Sequence, residues 1–335
     1  MLKRLCIVML VLVVAGSLMA GGGSEPKGKE YALVLKLGIT KTEQDPQFQW
    51  YTRWAADLDK ETKGAIKVQM YPAETLGKAP DVVEMALRGE PVIADCDYAY
   101  LSTYVPDLSV MLAPYLVRTG AEGFALWKSD LLKGLLRQLD DKGLHVFSMN
   151  YESPRILWTK KPINRRADVG GLKIRCANSP MWNAVVRVLG GNPTNIAQSE
   201  TYQALSQGVA DGAEMLPSIA YSWKWHEILK YATRTNHVNN FNIFAMSTKV
   251  YREMPDAVRK TFEAVNDRYM DEYMKLADAL QADIVAKMKS EGVTFSDIDL
   301  TEFYAAAMEV PKSFPEWTPG IYEKFRAFLD AANKK

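Results

Sequence analysis

The sequence predicts an α/β protein of two lobes, with a chain that passes between them more than once and a long helix backing both. Three observations predict this. From residue 31 onward, strand-like and helix-like segments alternate in β-α-β-α-β order, which favours a mainly parallel sheet with helices on its faces. The chain has 335 residues, enough for two domains of ordinary size. A single apolar stripe continues over residues 255–291, longer than one small domain is wide.

The first twenty residues differ in kind. Met1-Leu2-Lys3-Arg4 is basic, Leu5 to Met19 is an apolar run, and Ala20 precedes Gly21-Gly22-Gly23-Ser24. Basic, apolar, then small is the order of a secretory signal peptide, so residues 1–20 are expected to direct export. The apolar run is shorter than the roughly 20 residues of a spanning helix. Residues 21–30 read as a flexible leader. They contain Gly23-x4-Gly28-Lys29, but Glu30 stands where a phosphate loop needs Ser or Thr, and no strand precedes it.

Tyr31 to Gly38 alternates and predicts a strand. Asp45-Pro46 places a cap and a first-turn proline at the start of a helix that runs to about Lys63. Ile66 to Tyr71 is a second strand, Pro80 to Arg88 a short helix, and Pro91 to Ala94 a third strand. Gly123 to Asp141 reads as one helix. Leu144 to Asn150 and Arg155 to Thr159 read as two strands, and Gly171 to Cys176 as another. Ser179-Pro180 caps a helix that stops at Gly190-Gly191. Further helices are expected from Ser199 to near Gly208 and from Ser218 to Tyr231, with a strand at Phe241 to Met246. In the long segment Pro255 to Glu291, the apolar positions Val258, Phe262, Val265, Tyr269, Tyr273, Leu276, Leu280, Ile284 and Met288 step by three and four. More helix follows between Thr301 and Leu329.

Composition narrows the function. Hydrophobic residues are 48% and charged residues 24%, the balance of a folded globular protein. Lys plus Arg is 41 and Asp plus Glu is 40, which gives no electrostatic reason to expect nucleic acid as a partner. The nucleophile elbow, the paired-histidine zinc motif, the paired-cysteine motif and the dinucleotide fingerprint are all missing. His145 sits in an apolar strand, His226 on a helix and His237 in the loop after it, at no recognised metal spacing. No metal, no cofactor and no catalytic residue is therefore expected. Cys96 and Cys176 can pair only if the fold brings their Cα atoms within about 7 Å; two free thiols is the alternative.

The chemistry concentrates in Gly170-Gly171-Leu172-Lys173-Ile174-Arg175-Cys176-Ala177-Asn178-Ser179-Pro180. A strand carrying Arg175 runs into a capped helix. A guanidinium fork beside a helix N-terminus suits a carboxylate. Spacing alone equally admits a surface arginine on an edge strand.

The following residues complete a longer pattern: Leu189-Gly190-Gly191-Asn192-Pro193-Thr194, then Ser199-Glu200-Thr201-Tyr202-Gln203-Ala204-Leu205, then Gly208 and Asp211-Gly212-Ala213-Glu214. With the G-L-K-I-R run, this closely resembles the substrate-binding subunits of tripartite ATP-independent periplasmic (TRAP) transporters. The likeness extends to Leu35-Lys36-Leu37-Gly38, to Gly64-Ala65-Ile66-Lys67-Val68, and to Pro106-Asp107-Leu108 with Ala113-Pro114-Tyr115. It covers roughly residues 31–330.

The resemblance implies a two-lobe periplasmic-binding-protein fold with a hinge. Residues 31–152 plus about 241–280 would form lobe one, and residues 153–240 plus about 281–330 lobe two. It implies a non-enzymatic protein that closes on an organic acid and passes it to the membrane subunits, acting as a monomer or weak dimer. It places the principal carboxylate contact on Arg175 and a second on Arg155, with Asn178 beside them. Met215, Gln198, Asp97, Tyr98 and Tyr221 complete the implied ligand set. Met215 and Gln198 depart from the polar and aromatic residues frequent at those positions, and Asp97 would repel a second ligand carboxylate. A monocarboxylate with a polar or amino substituent and some apolar surface is expected. A binding protein for an ATP-driven importer or a chemoreceptor, or an exported two-lobe enzyme, are the alternatives.

Overall fold

The structure is a computed structural model and describes residues 33–333. The signal peptide and leader expected from the sequence lie outside the described residues. Among the described residues there are nine strands: β1 (Leu33–Gly38), β2 (Ile66–Tyr71), β3 (Val92–Cys96), β4 (Leu144–Thr159), β5 (Lys173–Cys176), β6 (Asn192–Asn195), β7 (Gly212–Met215), β8 (Tyr231–Ser247) and β9 (Thr294–Ser296). They run in the order β2-β1-β3-β8-β4-β7-β5-β6, with β9 added to β8.

The register explains the architecture. β1 lies parallel to β2 and β3, and β5 lies parallel to β6 and β7. The antiparallel pair β4 and β8 joins these two sets. β3 pairs with Ile243–Met246 of β8, whereas β7 pairs with Ile156–Thr159 of β4. The two parallel sets therefore hang from opposite ends of the long pair. Between those ends the ladder slips at Val146/Ser148, Tyr151/Ser153 and Arg155/Leu157. Ser153 has φ 94°, unfavourable for a residue with a side chain, and Pro154 after it has no N–H to donate.

This corrects the sequence expectation of two strands at 144–150 and 155–159. They are one bent strand, carried past Pro154 by bulges. The strand expected at 241–246 likewise begins ten residues earlier, which places His237 in β8 and not in a loop. The single helix expected over 123–141 is two, Gly120–Lys128 and Asp130–Asp141, because Ser129 leaves the helical conformation and its hydroxyl caps Leu132 N. The helix expected from Ser218 to Tyr231 stops at Ser222, two residues before Lys224 turns left-handed at φ 61°.

The long apolar stripe forms one helix, Asp256–Ser290. Its 35 residues span about 52 Å at 1.5 Å each. Near its start, Asn266 Oδ1 accepts from Trp54 Nε1 at 2.7 Å. Further on, Asp278 Oδ1 accepts from Tyr151 Oη at 3.0 Å, and Gln281 exchanges hydrogen bonds with the backbone and hydroxyl of Ser218. Its end delivers Met288 to a second, smaller core with Trp158, Leu205, Leu216 and Trp225. One helix thus backs both halves of the sheet.

The tail differs from the expected division. Phe303, Phe314, Trp317, Phe325 and Leu329 join the larger core. Trp317 Nε1 donates to Ser109 Oγ, Thr318 N to Asp107 Oδ1, and Asn333 to Glu122. Residues from 301 onward are thus tied to residues 107–122 and are not a part of the second lobe alone. Cys96 and Cys176 are free and buried. No helix among the described residues is long and apolar enough to cross a membrane.

Candidate functional site

A cavity of about 380 Å³ opens where the parallel strands end. Thr40 and Lys41 follow β1, Asp97 follows β3, Ala177 and Asn178 follow β5, Ile196 to Gln198 follow β6, and Leu216 follows β7; all line it. Glu152, Arg155, Asn240 and Asn242 line it from the long pair. A crevice at the carboxyl ends of parallel strands is the ordinary ligand position in such sheets.

Arg175 sits in the middle of β5, paired with Thr194 of β6 and Ala213 of β7. Only 2% of it is exposed. Its Nε donates to the Ile196 carbonyl at 3.0 Å, and its guanidinium lies 5.2 Å from the centre of the Trp225 ring. Its Nη1 is buried without a hydrogen-bond partner. Burial lowers its pKa, and Glu214 offsets only part of that; the group stays charged at any ordinary pH.

Arg155 also lines the cavity, but its fork is occupied. Nε and Nη2 meet the two carboxylate oxygens of Glu214 at 2.6 and 2.7 Å, and Nη1 donates to Asn240 Oδ1 at 3.2 Å. Its guanidinium stacks 4.1 Å over Trp182. Glu214 also faces His237 Nε2 at 3.4 Å, while His237 Nδ1 lies 2.8 Å from Thr235 Oγ1. Burial opposes charge on Glu214, yet Arg155 and His237 together outweigh it and hold that carboxyl below the usual range. Burial pushes His237 down, so the imidazole is neutral and donates to Glu214.

The D-G-A-E run therefore acts by positioning. Asp211 Oδ2 accepts from Lys173 N at 2.9 Å, fixing β5 beside β7. Gly212 lies so near β4 that a Cβ would stand 2.4 Å from the Trp158 carbonyl oxygen. Glu214 then holds Arg155.

Asp97 lies at the start of a short helix, Tyr98–Leu101. Its Oδ1 caps Ala99 N at 2.8 Å and its Oδ2 accepts from Trp182 Nε1 at 3.0 Å. Burial raises its pKa, against the pull of Arg155. Beside it, Lys41 Nζ lies 3.1 Å from Asp95 and 2.8 Å from Glu152. Tyr51 and Asn242 also donate to Asp95, and Asn240 to Glu152. Burial disfavours charge on Lys41, but the surrounding carboxylates outweigh it and raise its pKa.

Six of the eight sequence-selected residues line the cavity: Arg175, Arg155, Asn178, Met215, Gln198 and Asp97. Gln198 spends its amide on the Thr40 carbonyl at 2.8 Å, and Asn178 is exposed. Two do not line it. Tyr98 is fully buried with its hydroxyl 3.3 Å from Met149 Sδ. Tyr100, two residues on and so about 200° around the helix, faces the cavity instead. Tyr221 stacks on His226 and donates to Glu291 at 3.1 Å, while Ile219 of the same turn faces the cavity. The cluster of Lys41, Asp95, Glu152, Asn240 and Asn242 was not found from sequence. Alternating polar residues within the otherwise buried β8 are the trace it leaves.

Residues 37–316 match the family described as bacterial extracellular solute-binding protein, family 7. The chain is 24% identical over 285 residues to the sialic acid-binding periplasmic protein SiaP of Vibrio cholerae serotype O1, covering 84% of this chain and 88% of that protein. It is 26% identical over 300 residues to the C4-dicarboxylate-binding periplasmic protein DctP of Rhodobacter capsulatus, covering 89% and 88%. Among solved structures, a TRAP periplasmic solute binding protein from Ochrobacterium anthropi with bound L-fuconate superposes with a TM-score of 0.86 at 30% identity, covering 89% of this chain and 99% of that one. With the two sets of parallel strands, the helix behind both and the cavity between them, these likenesses lead to one conclusion: the chain belongs to family 7 of the bacterial extracellular solute-binding proteins.

Proposed function

We propose that the chain captures an organic acid in this cavity and delivers it to the membrane subunits of a TRAP transporter. One observation carries the proposal: a buried, charged Arg175 with an unpartnered Nη1 at the cavity wall. An unpaired buried guanidinium is costly, and a ligand carboxylate supplies the missing acceptor with charge assistance. Met215, Leu216, Ile219 and Ile196 give the same cavity apolar surface, which suits a monocarboxylate better than a plain C4-dicarboxylate. Relatives and neighbours named for sialic acid, L-fuconate and L-galactonate support the acid class.

The lobes of the proposal are residues 33–152 with about 241–280, and residues 153–240 with about 281–300, joined through β4 and β8. Closure excludes water and strengthens the ion pair at Arg175. The ligand shifts the open–closed balance by its extra affinity for the closed form. The protein acts without catalysis, as a monomer or weak dimer, exported to the periplasm behind a signal peptide at residues 1–20.

Thermal unfolding against an organic-acid library tests this, with Arg175→Ala and Arg175→Lys alongside. A ligand at 100 times its Kd stabilises the protein by about 2.7 kcal/mol. The expected result is a shift in the wild type that Arg175→Ala abolishes and Arg175→Lys reduces. A shift surviving Arg175→Ala would overturn the assignment. So would tighter binding of phosphate esters than of any carboxylate; one structural neighbour holds sn-glycerol-3-phosphate.

A further inference from the structure

We propose that the captured acid is a zwitterion, whose ammonium group sits against Asp97 while its carboxylate sits on Arg175. This rests on the Arg175 reading above and names the ligand's second group.

The cavity is short of positive charge before any ligand enters. Its buried cations are Lys41, Arg155 and Arg175; its buried carboxylates are Asp95, Asp97, Glu152 and, behind Arg155, Glu214. Asp45, also buried, lies close enough to act on Lys41. These charges are not shared evenly. Lys41 serves both Asp95 and Glu152, and the fork of Arg155 closes on Glu214. Two groups remain: Arg175, which has no carboxylate partner, and Asp97, which has no cation within 4.0 Å among the described residues.

Asp97 is hydrogen-bonded only to neutral donors: Ala99 N on Oδ1, Trp182 Nε1 on Oδ2, and the backbone N–H of Tyr100. A carboxylate has about four acceptor positions, so one remains beside these three, and the residue lines the cavity. A simple carboxylate on Arg175 would satisfy one of the two unmatched charges and deepen the excess of negative charge. A hydroxy acid could donate a hydrogen bond to Asp97 but would bring it no cation, leaving only the more distant pull of Arg155. A zwitterion answers both groups and leaves the net charge unchanged. Burial already pushes the Asp97 carboxyl up, and a ligand cation removes that penalty.

Calorimetric titration of ligand-stripped protein tests this with three matched sets of acids: L-amino acids, their α-hydroxy counterparts and the unsubstituted acids. Two variants keep the helix cap while removing the charge, Asp97→Asn and Asp97→Ser. The expected outcome is that the tightest wild-type ligand is an amino acid, preferred at least ~10-fold over its hydroxy counterpart. In both variants that preference falls below ~3-fold, whatever the change in absolute affinity. A hydroxy or unsubstituted acid binding best to the wild type would overturn the proposal. So would a preference for the ammonium group that survives in both Asp97 variants. If acids bind and depend on Arg175 but show no ammonium preference, only this inference fails. If no acid binds, or binding ignores Arg175, the Arg175 reading fails and takes this one with it.

Discussion

Trp182 and Asp97, 85 residues apart in sequence, meet through an indole N–H 3.0 Å from a carboxylate oxygen. The same indole ring lies under the Arg155 guanidinium at 4.1 Å. One side chain thus joins the wall built by β3 to the wall built by β4 and β7. Trp182→Phe keeps the ring and removes the N–H. A buried hydrogen bond to a charged group contributes about 1.5–3 kcal/mol, and this one joins two groups of the protein itself, so the variant should lose about that much stability. Urea unfolding checks this; an unchanged midpoint would show that the N–H contributes nothing.

Glu214 should matter for folding more than for binding. Removing its charge leaves Arg155 buried without a counter-ion, and breaking such a pair costs about 3–5 kcal/mol. Glu214→Gln should therefore lower the denaturant midpoint strongly. Adding Arg155→Met should recover part of the loss, because the orphaned charge goes with it. A double variant less stable than Glu214→Gln alone would contradict this view.

The buried histidine predicts a pH dependence of definite sign. Burial lowers the pKa of His237 in the folded state, so between its folded and unfolded values the unfolded chain binds more protons. Its contribution is present above an unfolded pKa of about 6.5 and is lost as pH falls through that value toward the folded one. Glu214, held low by Arg155 and His237 against its burial, keeps its contribution to lower pH. His237→Gln should flatten stability between about pH 7 and 5 relative to wild type. Equal slopes in urea unfolding across that range would rule His237 out as the cause.

At the mouth of the cavity, Gln198 Nε2 and Trp223 Nε1 both donate to the Thr40 carbonyl, at 2.8 and 3.2 Å. Ser199 donates to Glu74, and Lys78 pairs with Glu200 at 2.7 Å with both side chains about half exposed. The exposed ion pair is expected to contribute under about 1 kcal/mol. Gln198→Ala should accelerate ligand release several-fold with little effect on association, since such contacts form after encounter. Stopped-flow tryptophan fluorescence separates the two rates; a change confined to association would refute this.

Much of this arrangement was legible in sequence where backbone chemistry fixes it. Asp45-Pro46 and Ser179-Pro180 marked helix starts because cap and first-turn proline act locally, and Asp45 Oδ1 and Ser179 Oγ accept the expected backbone N–H groups. Arg175 was singled out through the family resemblance; its short strand and capped helix alone equally admitted a surface arginine, whereas the side chain is buried. What escaped depended on partners far along the chain. Glu152-Ser153-Pro154 looks like a break, and only the pairing of β4 with β8 reveals a continuous bent strand. The occupation of Arg155 by Glu214 spans 59 residues, and the sequence alone shows two charges, not a pair. Tyr98 and Tyr100 are equivalent as letters; the rotation of one helical turn decides which meets the cavity.

The bent middle of β4 has a consequence for how such a protein can change its taste. Glu152 and Arg155 flank the strained Ser153, and Asn240 is its cross-strand partner. The residues that line the cavity from these strands therefore sit at the bend itself. Under the proposed closure, a substitution there for a new cargo would also change how readily the lobes shut when empty. Inherited variation should be tolerated better at Asn178, in the loop after β5 and away from the bend, where recognition can drift while the mechanics stay constant.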